Sequence, residues 1–321
     1  MQCVAVLPAG LEEEGSNELI SLGAKSVIPL TRSVAFEANM SCFYRLHLQS
    51  RLPFRLLREM ARFPCDGPES LYCAIQKCLD WERWLHPSMS FRVDVSGRCN
   101  RLSHSHFTAL QVKNALVDLQ RDLWGKRSDI DLVEPDLCFH LHLNETGGIL
   151  SLDGSAGSLH RRGYRAAMGI APLKENIAAG LMRISGWDGI TPLVDPLCGS
   201  GTLLIEAVSC ALGLSPGLNR SFLFEGWADF EPDLWAEEIS RAKQRQCFER
   251  KLPLIIGCEQ DPDIANHANL NIEAAGLEKF IKIQNSNFVE LSMPKQKGLI
   301  VCNPPYGKRV GANEDLKLLY E

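Results

Sequence analysis

Residues 192–208 read PLVDPLCGSGTLLIEAV. Leu193 and Val194 form a short apolar strand that ends on the acid Asp195. Gly199 and Gly201 follow, and glycine at both places permits a tight turn and a close approach of backbone to a ligand. Thr202 then opens an apolar helix that runs through Ala207. The spacing is not that of a dinucleotide fingerprint, and no lysine stands ready for a nucleoside triphosphate. A glycine turn after a parallel strand holds a nucleoside equally well, and Asp195 at the strand end suits a cationic or amine-bearing ligand. Working outward from Thr191, the order is strand, glycine turn, two helices, strand, helix, strand, strand. That alternation predicts an α/β, Rossmann-like domain with a parallel, doubly wound sheet.

The next strand, LPLIIGCEQD, ends on Glu259, with Asp261 two residues on. An acid there accepts hydrogen bonds from both ribose hydroxyls. About 20 residues separate turn and acid in a dinucleotide fold. Here Gly199 and Glu259 are 60 apart, so an insertion of helical character is expected over residues 214–250. A later strand runs straight into the stretch GLIVCNPPYGKR. Consecutive prolines make a stiff, extended corner with no amide hydrogens to donate. The side-chain oxygen of Asn303 and the carbonyl of Pro304 can both accept from an amino group. An amine conjugated to a base is a poor nucleophile, because its lone pair is delocalised. Two acceptors gripping its hydrogens favour a pyramidal nitrogen with an available lone pair. Tyr306 offers a flat face to a base swung out of its stack. Asn303, Pro304, Pro305 and Tyr306 are therefore the expected catalytic group.

The first 190 residues have a different pattern. CVAVLP, LEEEGSNELISLG and SVIPLTRSVAFEAN read as strand, helix closed by Gly23, and two short extended runs, which is half of a split βαβ unit. A second α+β stretch covers residues 51–152. RLPFRLLREMARF places Arg51, Arg55, Arg58 and Arg62 on one face if it is helical, and it can equally be a strand. A helix over SLYCAIQKCLDWERWL, a strand over SFRVDVSGR, a long helix over residues 104–124 and two strands around a turn at 145–148 follow. Trp81 and Trp84 are expected in the core. A further helix is expected to begin near Pro172, since proline suits a first helical turn.

Charge is unevenly spread. The 321 residues carry a net charge of -5, yet residues 45–130 hold 14 basic against 9 acidic side chains. A basic middle module fits a phosphate-binding surface. Its candidates are Arg51, Arg55, Arg58, Arg98, Arg101 and Lys113, with Arg161, Arg162 and Arg165 of HRRGYR at the junction. The twelve cysteines form no CxxC pair and sit mostly in apolar contexts, as at Cys42, Cys138, Cys210, Cys258 and Cys302. They read as reduced core residues, with no metal site expected. The N-terminus lacks the basic start and long apolar run of a signal peptide. No segment approaches the roughly 18 apolar residues of a membrane span. A cytoplasmic protein without membrane contact is expected.

At these residues the chain resembles the amino-methylating class of S-adenosylmethionine methyltransferases. LDGSAGSLHRRGYRAAMGIAPLKENIAAGLMRISGW, followed by DPLCGSGTLLIEA, narrows the likeness to the RlmL-like family of bacterial ribosomal RNA guanine methyltransferases. The resemblance covers essentially the whole chain. It implies an N-terminal ferredoxin-like region over residues 1–50, with a return segment near 150–165. It further implies a THUMP RNA-binding domain over 51–152 and a methyltransferase domain over 166–321. The implied activity is methylation of a guanine 2-amino group in large-subunit (23S) ribosomal RNA, with S-adenosylmethionine as cofactor and RNA as partner.

By position, the resemblance puts Asp195, Cys198, Gly199, Gly201 and Glu259 at the methyl donor, with Thr202 opening the helix behind them. Pro172, Lys174 and Glu175 would close over the donor. Where the class commonly has Asp to hold the adenine amino group, this chain has Asn287, and weaker donor binding is expected. The chain ends at Glu321, about 15 residues past Tyr306, where a fold of this class has further strands. A C-terminally incomplete domain with poor donor binding and little turnover is the expectation. The rival assignments are a transfer-RNA guanine or DNA adenine substrate, and a non-catalytic RNA-binding protein.

Overall fold

A computed structural model describes residues 1–99, 101–167 and 172–304, which fall into two compact units. The first comprises Met1–His47, Pro53–Ser158 and Ser221–Glu237. Its elements in chain order are β1 (Gln2–Val6), α1 (Glu12–Ser21), β2 (Lys25–Leu30), β3 (Ser33–Glu37), α2 (Met40–Gln49), β4 (Arg55–Phe63), α3 (Pro68–Lys77), α4 (Trp81–Trp84), β5 (Ser90–Gly97), α5 (Ser105–Trp124), β6 (Asp129–Ile130), β7 (Leu137–Asn144) and β8 (Gly147–Asp153). The strands make one continuous sheet in the order β2-β3-β1-β4-β8-β7-β5-β6. The two N-terminal modules expected from the sequence therefore share a sheet, joined where β4 pairs with both β1 and β8.

Local chemistry accounts for these elements. Glu12, Glu13 and Glu14 fill the first turn of α1, where carboxylates meet the positive end of the helix dipole. The 20 residues of α5 stop at Gly125, whose φ of 63° places it in the left-handed region that ends helices. On β7, Leu137, Phe139, Leu141 and Leu143 all point inward at period two and are buried. Trp81 and Trp84 are buried as expected. The basic stretch after Arg51 is a strand from Arg55 on, so its arginines do not share a helical face. Helix α2 is absent from the sequence expectations, although Asn39 caps it by accepting from Cys42 N at 2.9 Å.

The second unit comprises Leu48–Leu52, Leu159–Arg220 and Glu238–Glu321. It holds α6 (Glu175–Ile184), β9 (Leu193–Asp195), α7 (Thr202–Ala211), most of the last turns of α8 (Pro232–Gln244), β10 (Ile255–Glu259), α9 (Pro262–Ala274), β11 (Lys282–Asn285) and β12 (Leu299–Ile300). α6 begins at Glu175 rather than near Pro172, with Lys174 as its extended N-cap. All strand pairs are parallel, in the order β11-β10-β9-β12. The chain moves outward from β9 to β10 and β11, then returns to the other side of β9 as β12. This is the reversal of strand order at which open α/β sheets bind ligands. The core gathers Leu193, Leu204, Val208, Ile255, Ile272 and their neighbours. Every residue of α7 from Thr202 to Val208 is buried, which accounts for its apolar run.

Residues Ser221–Glu237 lie between β9 and β10 in sequence yet belong to the first unit. Phe224 stacks on Phe222 at 5.1 Å and on Tyr44 at 4.8 Å, and Trp235 meets it edge-on at 5.0 Å. The Tyr44 hydroxyl accepts from Glu231 N at 3.0 Å. Each such ring pair contributes about 0.5–1.5 kcal/mol beyond its buried area. The long gap between the glycine turn and Glu259 is thus filled by an aromatic segment packed on α2.

Candidate active site

The glycine turn after β9 is held amide by amide. Leu197 N donates to Asp195 Oδ1 at 3.2 Å, and Cys198 N to Cys258 O at 2.9 Å. Gly199 N donates to Glu259 Oε2 at 3.2 Å, and Gly201 N to Cys198 O at 2.9 Å. Gly199 and Gly201 have φ of 52° and 80°, which disfavour any residue with a side chain. Among the described residues, nothing lies within 4 Å of where a Cβ on Gly199 would sit. Gly257 on β10 matters as much and escaped the sequence expectations. A Cβ there would lie 2.8 Å from Cys198 Sγ and 2.7 Å from Ile283 Cδ1. Its only sequence signal was a glycine inside an otherwise apolar strand.

Two acids flank the turn. Asp195 is 1% exposed. Burial pushes its carboxyl up to about 7, against the Leu197 N–H that favours the anion, and the negative charge of Glu259 adds to the rise. Glu259 is half-buried, and its Oε1 accepts from Asp261 N at 3.0 Å. With one N–H on each oxygen, two of the roughly four acceptor sites of a carboxylate remain. Asp261 caps α9, accepting from Asp263 N and Ile264 N at 2.9 and 3.2 Å. At the end of β11, Asn285 donates to the carbonyls of Glu259 and Gln260 at 2.8 and 3.1 Å. Asn287 is exposed, and its Oδ1 accepts from Val289 N at 3.1 Å, so one of that oxygen's two acceptor sites is committed locally.

The segment before α6 faces the same turn, with a difference from expectation at Glu175. That carboxylate is buried and accepts from His160 Nδ1 at 2.9 Å and Arg165 Nε at 3.0 Å. Burial alone would raise its pKa; the hydrogen bond from His160 and the charge of Arg165 bring it below the usual range. Arg165 also reaches Leu173 O at 3.0 Å and Thr202 Oγ1 at 3.5 Å. Glu175 therefore organises this segment through its partners, while Pro172 and Lys174 are exposed.

Asn303 and Pro304 are half-buried and directly follow β12. Leu299 and Ile300 pair with Leu193 and Val194, and Val301 N continues the ladder to Val194 O at 3.0 Å. Neighbouring strands lie about 4.8 Å apart, so Asn303 and the glycine turn leave the same edge of the sheet side by side. Burial, and after it the negative charge of Asp195, push the Cys302 thiol up. Pro305 and Tyr306 lie outside the described residues, as does the stretch on which the expected C-terminal incompleteness rests.

The candidate RNA arginines divide sharply. Arg51 pairs with the buried Glu206 at 3.2 Å and donates to Leu214 O. Arg162 lies 3.5 Å from the same carboxylate and donates to the carbonyls of Leu159 and Arg51. Arg55 bonds Asp94 at 2.5 Å and lies 3.3 Å from Asp153. Arg58 pairs with Asp229 at 2.7 Å and lies over the rings of Trp84 and Trp227. Together with Arg165, which pairs with Glu175 at 2.9 Å, these five have acidic partners within the protein. An arginine paired with a buried acid, as Arg51 is with Glu206, has less charge to offer a phosphate. Lys113 is half-buried on α5, and Arg98, Arg101 and Arg161 are exposed. Cys210 and Cys302 are exposed rather than core residues. Among the described residues, no group of three or more His, Cys, Asp or Glu is arranged to hold a metal, and no helix is long and apolar enough to cross a membrane.

Comparison with known proteins places the chain among methyltransferases. Residues 162–321 fit the family model of the RMKL-like methyltransferase domain, residues 69–153 the THUMP domain and residues 2–57 the RlmL ferredoxin-like domain. The chain is 41% identical to slr0064 of Synechocystis sp., a protein named for RNA methyltransferase activity, over 99% of this chain and 82% of that one. It is 37% identical to the ribosomal RNA large subunit methyltransferase K/L of Syntrophotalea carbinolica, over 98% of this chain and 46% of that protein. The chain thus spans about half the length of the K/L relatives it matches. The crystal structure of SMU.472, named a methyltransferase and complexed with SAH, superposes with a TM-score of 0.86 at 26% identity, covering 99% of this chain and 84% of that one.

Proposed function

Since this chain belongs to the RlmL-like methyltransferase family, with its ferredoxin-like, THUMP and RMKL-like methyltransferase domains, we propose that it methylates the 2-amino group of a guanine in large-subunit ribosomal RNA, with S-adenosylmethionine as donor. RNA methylation is the coarser statement its relatives support. The observation that carries transfer to a base amine is the adjacency of two strand ends, Gly199 after β9 and Asn303 after β12, on paired parallel strands where the strand order reverses; the choice of guanine follows the family resemblance.

The residues present fit an amino-acid nucleoside. Asp195 is a buried carboxylate placed for an ammonium group. Glu259 keeps acceptor capacity for a pair of ribose hydroxyls. The space beside Gly199 admits the ligand against bare backbone. Asn287, two residues past the end of β11, has its amide N–H₂ and one acceptor site to offer adenine. S-adenosylmethionine supplies an electrophilic methyl group on a sulfonium, whose departure as a neutral thioether needs no acid.

The protein's share is then orientation. The Asn303 side-chain oxygen and the Pro304 carbonyl accept the two amine hydrogens of the base and turn its lone pair toward the methyl group. A bound donor would supply the methyl carbon to that nitrogen and leave as the neutral thioether, and the surplus amine proton would pass to water. Tyr306, by family resemblance, gives the flipped base a face to stack on. Arg98, Arg101 and Arg161 are the exposed cations offered to RNA phosphates.

The test is transfer of tritium from labelled donor onto total RNA from a strain lacking the gene, followed by nucleoside analysis. Labelled 2-methylguanosine in large-subunit RNA supports the proposal. Label only in transfer RNA, or only on adenine, overturns the substrate. Donor binding without any transfer supports a non-catalytic RNA-binding protein instead.

A further inference from the structure

Asn271, on α9, is 1% exposed and carries neither charge nor any expected role. Its amide makes three hydrogen bonds. Nδ2 donates to Ser200 O at 3.1 Å and to Ala167 O at 3.1 Å, and Oδ1 accepts from Ala167 N at 3.0 Å. Both hydrogens of the amide are therefore committed. Asparagine is the shortest side chain that presents two donors and an acceptor on one planar group.

The consequence lies in the peptide unit joining Ser200 to Gly201. Asn271 holds its carbonyl, and Cys198 O holds its N–H at 2.9 Å. Glycine populates positive and negative φ almost equally, so the φ of Gly201, on which this peptide turns, gives it little intrinsic reason to keep one orientation. Pinning it at both ends removes the alternative in which the carbonyl swings into the turn. On its other side Asn271 holds both polar groups of Ala167, two residues after the Arg165 that binds Leu173 O and Thr202 Oγ1. One side chain thus ties together α9, the glycine turn and the segment leading to α6.

We infer that Asn271 is a positioning residue for the methyl donor, acting by fixing the Ser200–Gly201 peptide and Ala167 against each other. The inference rests on the donor assignment proposed above. Asn271→Asp tests it with little change of volume. The carboxylate keeps the bond from Ala167 N but faces the carbonyls of Ser200 and Ala167 with no donor.

Two readouts on the full-length protein decide the matter: calorimetric binding of S-adenosylhomocysteine, and hydrogen exchange of a peptide spanning residues 198–203 in the ligand-free protein. The expected result is at least a tenfold loss of S-adenosylhomocysteine affinity, faster exchange in that peptide, and RNA affinity within twofold of wild type. Asn271→Ser, which retains one hydroxyl donor, should lie between the two. Affinity and exchange both within twofold of wild type in a folded variant would overturn the inference. So would a parallel loss of donor and RNA binding, or failure of both variants to fold, each of which would make Asn271 an ordinary core residue. Wild type that fails to bind S-adenosylhomocysteine sinks the donor assignment instead, while the exchange measurement still reports on the clamp.

Discussion

Gly199 donates its backbone N–H to the carboxylate of Glu259 at 3.2 Å, although 60 residues separate them. The glycine turn and the acid 60 residues on are therefore one hydrogen-bonded unit, closed by the parallel pairing of β9 with β10. Under the proposed donor assignment, Glu259 has two tasks: it holds the turn and would accept from the donor's ribose.

Glu259→Gln keeps the size and one acceptor, whereas Glu259→Ala keeps neither. Hydrogen bonds to a charged acceptor contribute about 1.5–3 kcal/mol, or roughly 10- to 150-fold in affinity. The glutamine variant is expected to lose about tenfold in S-adenosylhomocysteine affinity by titration calorimetry, and the alanine variant nearer a hundredfold. Equal affinities for wild type and the alanine variant would remove Glu259 from the site.

Asp195 supplies a pH dependence. Its folded pKa, about 7, lies well above the ordinary carboxylate range because burial disfavours the anion. The raised value means that the folded state binds the extra proton, so this group's contribution to stability falls as pH rises from about 4 to about 7. Donor binding runs the other way, since an ammonium group pairs with the ionised form. Below pH 7 the apparent dissociation constant should rise by up to about tenfold per unit. Asp195→Asn should flatten both profiles; a variant that keeps the wild-type slope assigns the titration elsewhere.

Gly257→Ala should be destabilising. The new methyl would lie 2.8 Å from Cys198 Sγ and 2.7 Å from Ile283 Cδ1, and overpacking of this kind costs about 1–3 kcal/mol. Chemical denaturation should show the loss. Because Cys198 belongs to the glycine turn, donor affinity should fall as well, whereas an unchanged denaturation midpoint would mean that the strands shift freely.

The arginines should separate into two classes. Arg51→Ala leaves Glu206 buried with one of its cations gone, a defect that typically costs about 3–5 kcal/mol; the thermal midpoint should drop. The double change Arg98→Ala with Arg101→Ala should leave the midpoint in place and weaken RNA binding. It should also reduce the slope of log affinity against log salt by about 0.7 per lost single-strand phosphate contact. A double variant with wild-type RNA affinity and salt slope would take the loop before α5 out of the RNA surface.

Periodicity and turn chemistry are local properties, and what depends on them was legible in the chain. The alternation on β7, the apolar run of α7, the glycine stop of α5 and the strand–turn–helix around Gly199 can each be recognised within a few residues. So can the parallel, doubly wound character of the second sheet, from its alternation of strands and helices, although the order of its strands was seen only in the structure. The tertiary structure alone decided where charges and gaps end up. Nothing local distinguishes Arg51, which a buried glutamate 155 residues away has claimed, from the exposed Arg98. The crowding around Gly257, the membership of Ser221–Glu237 in the first unit and the three bonds of Asn271 are equally silent in sequence. Each depends on partners brought together only when the sheet closes, and hydrogen bonding and steric exclusion act over a few ångströms whatever the separation along the chain.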